Sequence, residues 1–252
     1  MRLNANLPKL IDKKLLCLTF YESSMTTLSN RLERLNERIL TACASSNRAL
    51  HEVQLIGVSK YQTRESVAEA HGLGLTNFGE NYLQEATEKI QYLDKKPLTW
   101  HFIGNIQSNK TKVIAESFQW VHTVDRLKIA QRLSSQCPKG KALNILLQVN
   151  IDNDPNKGGV GPEECADLIK QMSNLPSLKL RGLMAILSQD TDPRVGYETV
   201  AQLYADLKDA LNPEFAGAWD TLSMGMTGDL EHAIAAGATM IRVGTALFGP
   251  RE

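Results

Sequence analysis

The chain has 252 residues, 42% of them hydrophobic, and its 28 lysines and arginines balance 28 aspartates and glutamates. This length allows one large α/β domain or two small ones. A formal net charge of zero provides no electrostatic attraction to nucleic acid or to an anionic membrane, so we expect neither as a partner. The four cysteines have the spacing of neither a metal site nor a disulfide framework, which indicates a cytoplasmic protein.

The first 24 residues contain an apolar run of six residues, which is too short for a signal-peptide core or a membrane span. Apolar residues then recur at helical spacing from Leu28 to Ala42, and this pattern predicts an amphipathic helix over 27–46. We therefore expect residues 1–24 to be an N-terminal extension and residues 25–252 to form a single domain. A segment that caps the fold is the alternative for residues 1–24.

Beyond this helix, apolar runs with strand character alternate with helical segments. Eight strands are predicted, at 53–59, 76–79, 99–103, 119–123, 143–150, 178–186, 219–223 and 239–243. Seven helices are predicted between them, at 63–72, 80–93, 107–117, 125–136, 161–173, 195–211 and 228–236. This alternation is typical of parallel strands joined by right-handed crossovers.

Eight such units in a chain of this length predict a single (β/α)8 TIM-type barrel. A doubly wound open sheet is the alternative, and it usually carries a glycine-rich turn after its first strand. The first strand here ends in Ser59-Lys60-Tyr61-Gln62, without that turn, so we favour the barrel.

The functional residues of a barrel lie at the C-terminal ends of its strands, and the loops after the seventh and eighth strands often bind phosphate. The corresponding loops here are Ser223-Met224-Gly225-Met226-Thr227-Gly228-Asp229 and Gly244-Thr245-Ala246. Glycine lets backbone N–H groups approach an anion, hydroxyls add donors, and a following helix N-terminus adds a favourable dipole. The pattern indicates a small phosphate cup, although turn formation and helix capping explain the same residues.

Barrel closure places the end of the first strand beside the eighth strand, and so brings Lys60 close to Arg242. An amine beside a phosphate cup suggests a phosphorylated aldehyde held as a Schiff base, such as pyridoxal 5′-phosphate (PLP). A lysine that merely extends from a strand end into solvent is the alternative for Lys60.

Arg242 shares a strand face with Met240 and Gly244. An inward arginine could donate a hydrogen bond to the pyridine nitrogen of such a cofactor and keep it unprotonated, because arginine does not readily give up a proton. A core arginine paired with a carboxylate such as Glu80 is the alternative.

Several stretches resemble the pyridoxal phosphate homeostasis proteins, whose fold is similar to the barrel domain of alanine racemase. They are VSK (58–60), FGENYLQE (78–85), WHFIGNIQSNK (100–110), VDRLKIAQRL (124–133), LQVNIDNDPNKGG (147–159), LRGLMAI (180–186) and LSMGMTGDLEHAIAAGATMIRVGTALFG (222–249). The resemblance covers nearly the whole chain from about residue 27 onward.

The resemblance implies that Lys60 carries PLP covalently and that Arg242 faces the pyridine nitrogen. It also implies that the phosphate is held by Ser223, Gly225, Gly244 and Thr245. Asn81 is implied as a pocket residue, with a possible contribution from His101 and Asn105.

Three functions remain open from the sequence. The first is a PLP-binding protein that buffers or delivers the cofactor without dedicated turnover. The second is a PLP-dependent amino-acid racemase, which needs a second acid/base group opposite Lys60. In alanine racemases that group is a tyrosine from a second, β-rich domain of the partner subunit. This sequence ends directly after the eighth unit, so we expect a barrel that lacks this C-terminal β domain, and Tyr61 or Tyr82 would have to replace the tyrosine. The third is a barrel enzyme that uses Lys60 in an aldolase-like way.

The homeostasis reading has the best support, so we expect a binding protein rather than an enzyme. Its expected partners are PLP and apo forms of PLP-dependent enzymes, and the resemblance implies a monomer. Lys157, in the loop after the fifth strand, is a further hypothesis: it could accept the cofactor transiently during release, although a solvated loop lysine is the simpler reading.

Overall fold

Eight parallel strands close into a barrel in a computed structural model of the chain, which describes residues 27–250. Each strand pairs with the next one along the chain, and β8 pairs with β1. The strands are β1 (Gln54–Val58), β2 (Asn77–Glu80), β3 (Thr99–Phe102), β4 (Trp120–Val124), β5 (Leu143–Val149), β6 (Leu178–Ala185), β7 (Thr221–Ser223) and β8 (Met240–Val243).

Helices follow the strands and surround the barrel. They are α1 (Leu28–Ser45), α2 (Arg64–Gly72), α3 (Leu83–Tyr92), α4 (Thr111–Ser117), α5 (Leu127–Gln136), α6 (Cys165–Met172), α7 (Pro193–Ala210), α8 (Pro213–Ala216), α9 (Leu230–Ala235) and α10 (Thr245–Phe248). Short 3₁₀ helices lie at Leu50–Glu52, Ser108–Lys110 and Pro162–Glu164.

The predicted barrel is confirmed, because all eight strands and all seven intervening helices lie where the periodicity placed them. The sequence did not predict the short helices α8 and α10. The expected extension, residues 1–24, lies outside the described residues and stays a prediction.

Helix α1 precedes the barrel and packs on its outer layer of helices. Thr27 caps its N-terminus by accepting a hydrogen bond from the Asn30 N–H at 3.3 Å. Its buried face includes Leu32, Leu35 and Ile39, and it packs on α9 and α10, the helices that follow the last two strands. This packing supports the two loops that the sequence predicts as a phosphate cup.

The apolar core lies mainly between the strands and the helices, whereas the barrel interior also holds polar side chains. His101, His122, Ser223 and Arg242 are all less than 5% exposed. Burial of a polar group is energetically unfavourable unless the group is hydrogen-bonded. A barrel interior that holds several buried polar side chains therefore indicates a functional site. No helix within residues 27–250 combines the length and apolar character needed to cross a membrane.

Candidate functional site

Lys60 lies in the turn that directly follows β1, at the C-terminal rim of the barrel. Its side chain is half-buried, and its Nζ makes neither a hydrogen bond nor an ion pair with any residue in the described range. The next residue, Tyr61, adopts a left-handed backbone conformation with φ of 64°. The rim therefore presents an amine that no other group of the described chain engages.

Strand pairing brings β8 against β1 next to this amine. Ile56 lies opposite Arg242 in the parallel register. The backbone beyond it stays close, since a Cβ added to Gly244 would lie 3.3 Å from the Val58 carbonyl oxygen. Barrel closure thus brings the C-terminal ends of β1 and β8 together, and Lys60 follows the end of β1.

Arg242 points into the barrel, as the alternation along its strand predicts, and is 4% exposed. Its Nη1 donates to Ser223 Oγ at 2.7 Å, and its Nη2 donates to the Ala185 carbonyl oxygen at 2.9 Å. Burial lowers the pKa of this guanidinium. It forms no salt bridge with any carboxylate in residues 27–250, so the predicted alternative of a pair with Glu80 is wrong. A buried cation without a carboxylate suits a ligand that accepts hydrogen bonds.

A chain of hydrogen bonds continues from Arg242 across the barrel. Ser223 Oγ lies 2.9 Å from His122 Nδ1, His122 Nε2 lies 3.0 Å from His101 Nδ1, and His101 Nε2 lies 3.1 Å from Asn77 Oδ1. Burial lowers the pKa of His101 to about 3 and that of His122 well below its usual value, so both imidazoles are neutral.

One direction satisfies every member of this chain. Arg242 can only donate, and the Asn77 carbonyl oxygen can only accept. Each neutral imidazole then accepts at Nδ1 and donates from Nε2, and the Ser223 hydroxyl donates to His122. The hydroxyl hydrogen of Ser223 therefore points into the barrel interior, in the bond to His122. His122 is a site residue that sequence analysis missed.

The loop after β7 is tied to β8 and to α10. The Arg242 N–H donates to the Gly225 carbonyl oxygen at 3.0 Å, and the Ala246 N–H donates to Thr227 Oγ1 at 3.4 Å. Gly225 has φ of 92°, and a Cβ there would lie 2.5 Å from the Ala233 Cβ, so only glycine fits without strain.

Two residues outside the predicted set brace the first of these loops. Asp229 Oδ1 accepts the Met226 N–H at 2.6 Å, and Asp229 Oδ2 accepts the Tyr197 hydroxyl at 2.9 Å. Burial raises the pKa of Tyr197, so this hydroxyl keeps its proton. Asp229 could be suspected from its place before a helix, but nothing in the sequence pattern marks Tyr197.

The helices after these loops are short. Helix α9 has six residues and α10 has four. Backbone N–H groups and hydroxyls of the loops are what this rim offers to an anion, and the expected contribution of the helix N-termini stays a prediction. Thr245, the first residue of α10, is exposed at the rim.

Asn81 follows β2 at the same rim, and its Oδ1 is buried without a hydrogen-bond partner in the described chain. It lines a cavity of about 860 Å³ together with Asn105, Thr123 and Gln148. Lys60 and the two loops do not line this cavity. A buried, unpartnered polar atom at its wall is suited to a ligand.

Lys157 is fixed rather than solvated. Its Nζ donates to the Ile186 carbonyl oxygen and to Ser188 Oγ, each at 3.2 Å, and lies 3.9 Å from Asp152 and 4.0 Å from Asp154. The simpler reading of a solvated loop lysine is wrong. The structure does not test the hypothesis that Lys157 accepts a cofactor. It also provides no group of three or more His, Cys, Asp or Glu side chains suited to a metal within residues 27–250.

The comparisons with known proteins agree with this geometry. The family model described as alanine racemase, N-terminal domain, matches residues 32–252. The pyridoxal phosphate homeostasis protein of Pseudomonas aeruginosa is 50% identical over 231 residues, which are 90% of this chain and 97% of that protein. The protein of the same name from Escherichia coli is 41% identical over 235 residues, which are 90% of this chain and 98% of that one.

Solved structures give the same result. PipY of Synechococcus elongatus, determined with PLP bound, is 33% identical with a TM-score of 0.76 and covers 88% of this chain and 100% of its own. An alanine racemase from Clostridium difficile shares the fold with a TM-score of 0.66 at 16% identity, over 86% of this chain and 56% of that one. The chain belongs to the family of pyridoxal phosphate homeostasis proteins, built on the barrel of the alanine racemase N-terminal domain.

Proposed function

We propose that this protein binds PLP as a Schiff base on Lys60 and buffers or delivers it in vitamin B6 homeostasis, without dedicated turnover. The observation that carries the proposal is the unengaged Lys60 amine, at the rim of a barrel that also holds a buried arginine and two glycine loops. The names of the homologues and the PLP bound to PipY support the same function.

The donors present fit the parts of PLP. Gly225, Gly244 and Thr245 would hold the phosphate, since their loops bring backbone N–H groups and a hydroxyl to one place on the rim. Ser223 is placed next to them at the end of β7, although its hydroxyl hydrogen is directed to His122 in this structure.

Arg242 would donate to the pyridine nitrogen with an N–H that Ser223 and Ala185 leave free. Asn81 would use its unpartnered Oδ1 at the wall of the pocket. When bound, PLP supplies an aldehyde for a lysine amine and a ring that withdraws electrons. An arginine beside the ring nitrogen would keep the nitrogen unprotonated, which weakens the withdrawal.

A racemase would need a second acid/base group held opposite Lys60. The two tyrosines at this part of the rim, Tyr61 and Tyr82, are 56% and 47% exposed, and their hydroxyls bond to each other at 2.5 Å. Neither is a buried group held opposite Lys60. The aldolase-like alternative usually needs a carboxylate or a second lysine beside the first, and no carboxylate of the described residues pairs with Lys60.

A comparison of binding with turnover tests this function. The protein is titrated with PLP while the visible absorbance of the Schiff base is followed, and α-proton exchange on L-alanine in D2O is then measured by NMR. We expect one PLP per chain and no sustained exchange. Exchange at the rates of ordinary enzymes, about 1–10³ per second, would contradict the homeostasis function.

Three further expectations belong to this proposal. The recipients of the cofactor would be apo forms of PLP-dependent enzymes, the protein would act as a monomer, and it would work in the cytoplasm. Lys157, anchored between the loops after β5 and β6, is proposed as the second amine that PLP meets on release.

A further inference from the structure

Lys89 on α3 is buried beneath the Lys60 turn and uses all three of its N–H donors. Its side chain is 4% exposed. The Nζ donates to the Ser59 carbonyl oxygen at 2.6 Å, to Glu80 Oε1 at 2.8 Å and to Glu85 Oε1 at 2.6 Å. A lysine is almost never buried unless it is paired, and here it is paired twice.

The same groups hold both peptide units that flank Lys60. The carbonyl of the Ser59–Lys60 peptide accepts a hydrogen bond directly from Lys89. The N–H of the Lys60–Tyr61 peptide donates to Glu85 Oε1 at 2.6 Å, and this oxygen also binds Lys89. The orientations of these two peptide planes determine φ and ψ of Lys60. Lys89 therefore lies at the centre of a clamp that fixes the direction in which Lys60 leaves the chain.

The clamp acts against a conformation that the chain would otherwise avoid. Tyr61 has φ of 64°, which is sterically unfavourable for a residue with a Cβ. Such conformations persist only where the surroundings hold them, and they cluster at functional sites. The Gln62 N–H closes the turn by donating to the Ser59 carbonyl oxygen at 3.0 Å, and the bond from the Tyr61 N–H to Glu85 holds the peptide between Lys60 and Tyr61.

Lys89 is the critical residue of this clamp because its ammonium balances the charges of Glu80 and Glu85. Glu80 is buried, its Oε1 also accepts the Ser59 hydroxyl at 2.6 Å, and its Oε2 has no partner within the described chain. Without the ammonium, two carboxylates would face each other near the turn, and Glu80 would be charged in an apolar place or would take up a proton.

We propose that Lys89 is the positioning residue of Lys60, which orients the amine for its reaction with the PLP aldehyde. The inference rests on the proposed function of Lys60. In that reaction the amine nitrogen attacks the aldehyde carbon, a C=N bond forms, and the aldehyde oxygen leaves as water with the two hydrogens of the neutral amine. No oxidant or reductant takes part.

The test uses Lys89→Met, with Lys141→Met as the matched control. Lys141 is half-buried and donates to the Ala115 and Glu116 carbonyl oxygens at 2.8 and 2.9 Å, just before β5 and away from the Lys60 turn. Three quantities are measured: the free energy of unfolding, amide hydrogen exchange at Tyr61 in PLP-free protein, and the rate of PLP capture on Lys60 trapped by borohydride.

Both variants are expected to lose stability. Only Lys89→Met should accelerate hydrogen exchange at the Tyr61 amide by about tenfold or more beyond what its loss of global stability explains. Only Lys89→Met should also slow PLP capture by about tenfold or more, because a small misplacement of a reacting group greatly lowers the rate. The proposal is overturned if Lys89→Met resembles Lys141→Met in both exchange and capture.

A second pair of variants keeps the test decisive if Lys89→Met does not fold. Glu85 is 26% exposed and tolerates change more readily. Glu85→Ala removes the acceptor of the Tyr61 N–H and should reproduce both effects, whereas Glu85→Gln keeps an acceptor and should restore most of the capture rate. Equal behaviour of the two would count against the clamp. If wild-type protein captures no PLP on Lys60, the proposed function fails, and exchange at Tyr61 still tests the clamp.

Discussion

An Arg242→Leu variant is expected to bind PLP about 10- to 100-fold more weakly than the wild type, because a hydrogen bond from a charged group contributes about 1.5–3 kcal/mol. The guanidinium is buried, bonded to Ser223 and Ala185, and without a carboxylate among the described residues. It retains free N–H donors beside the site. The measurement is equilibrium titration with PLP, followed by absorbance.

An Arg242→Lys variant is the control for charge alone. Lysine keeps the positive charge but replaces a planar fork by a single ammonium, so it should recover only part of the lost affinity. Unfolding of the PLP-free variants separates binding from folding. Unchanged PLP affinity in a folded Arg242→Leu protein would refute the assignment of Arg242 to the pyridine nitrogen.

The protein is expected to lose stability as the pH falls below about 6.5, because two buried imidazoles must stay neutral in the folded state. Burial holds the pKa of His101 at about 3 and that of His122 well below its usual value, whereas an unfolded histidine titrates near 6.5. The stabilisation is complete above pH 6.5 and is lost progressively as the pH falls towards 3. At pH 5 the loss is about 2 kcal/mol for each imidazole.

Urea unfolding of the PLP-free protein at pH 7.5 and pH 5.0 measures this loss. His122→Gln is the matched variant, since glutamine can accept from Ser223 and donate to His101 without titrating. Between pH 7.5 and pH 5.0 its free energy of unfolding should fall by about 2 kcal/mol less than that of the wild type. Equal pH sensitivity of the two proteins would show that His122 is not a buried neutral group.

The sequence predicted the barrel and the placement of Lys60 because both follow from local patterns. Alternating strands and helices of regular length determine a closed parallel barrel, and the apolar run ending at Val58 leaves Lys60 at its rim. The inward direction of Arg242 follows from the period of two along β8.

The polar partners of these residues could not be predicted, because they are remote in sequence. His122 and Ser223 are 101 positions apart, and Lys89 reaches the Ser59 carbonyl across 30 positions. Their meeting depends on the stagger of the closed barrel and on how α3 packs against it, and neither leaves a local pattern. Lys89 itself has the appearance of an ordinary lysine on a helix.

The helices that follow the phosphate loops are short for a local reason. Helix α9 gives way after six residues to a turn in which Gly237 has φ of 96°, and α10 ends after four at Gly249 with φ of 97°. Glycine in the left-handed conformation is a common end of a helix. The predicted roles of Asn81, Ser223, Gly225, Gly244 and Thr245 towards PLP stay predictions, although all of these residues lie at one end of the barrel.

Reductive trapping tests the central claim most directly. The PLP-loaded protein is treated with borohydride, digested, and examined by mass spectrometry for the lysine that carries the phosphopyridoxyl group. We expect the label on Lys60, and we expect both the label and the visible absorbance to be lost in Lys60→Ala. A label found on Lys157 or another lysine instead, or none on a protein that has bound PLP, would contradict it.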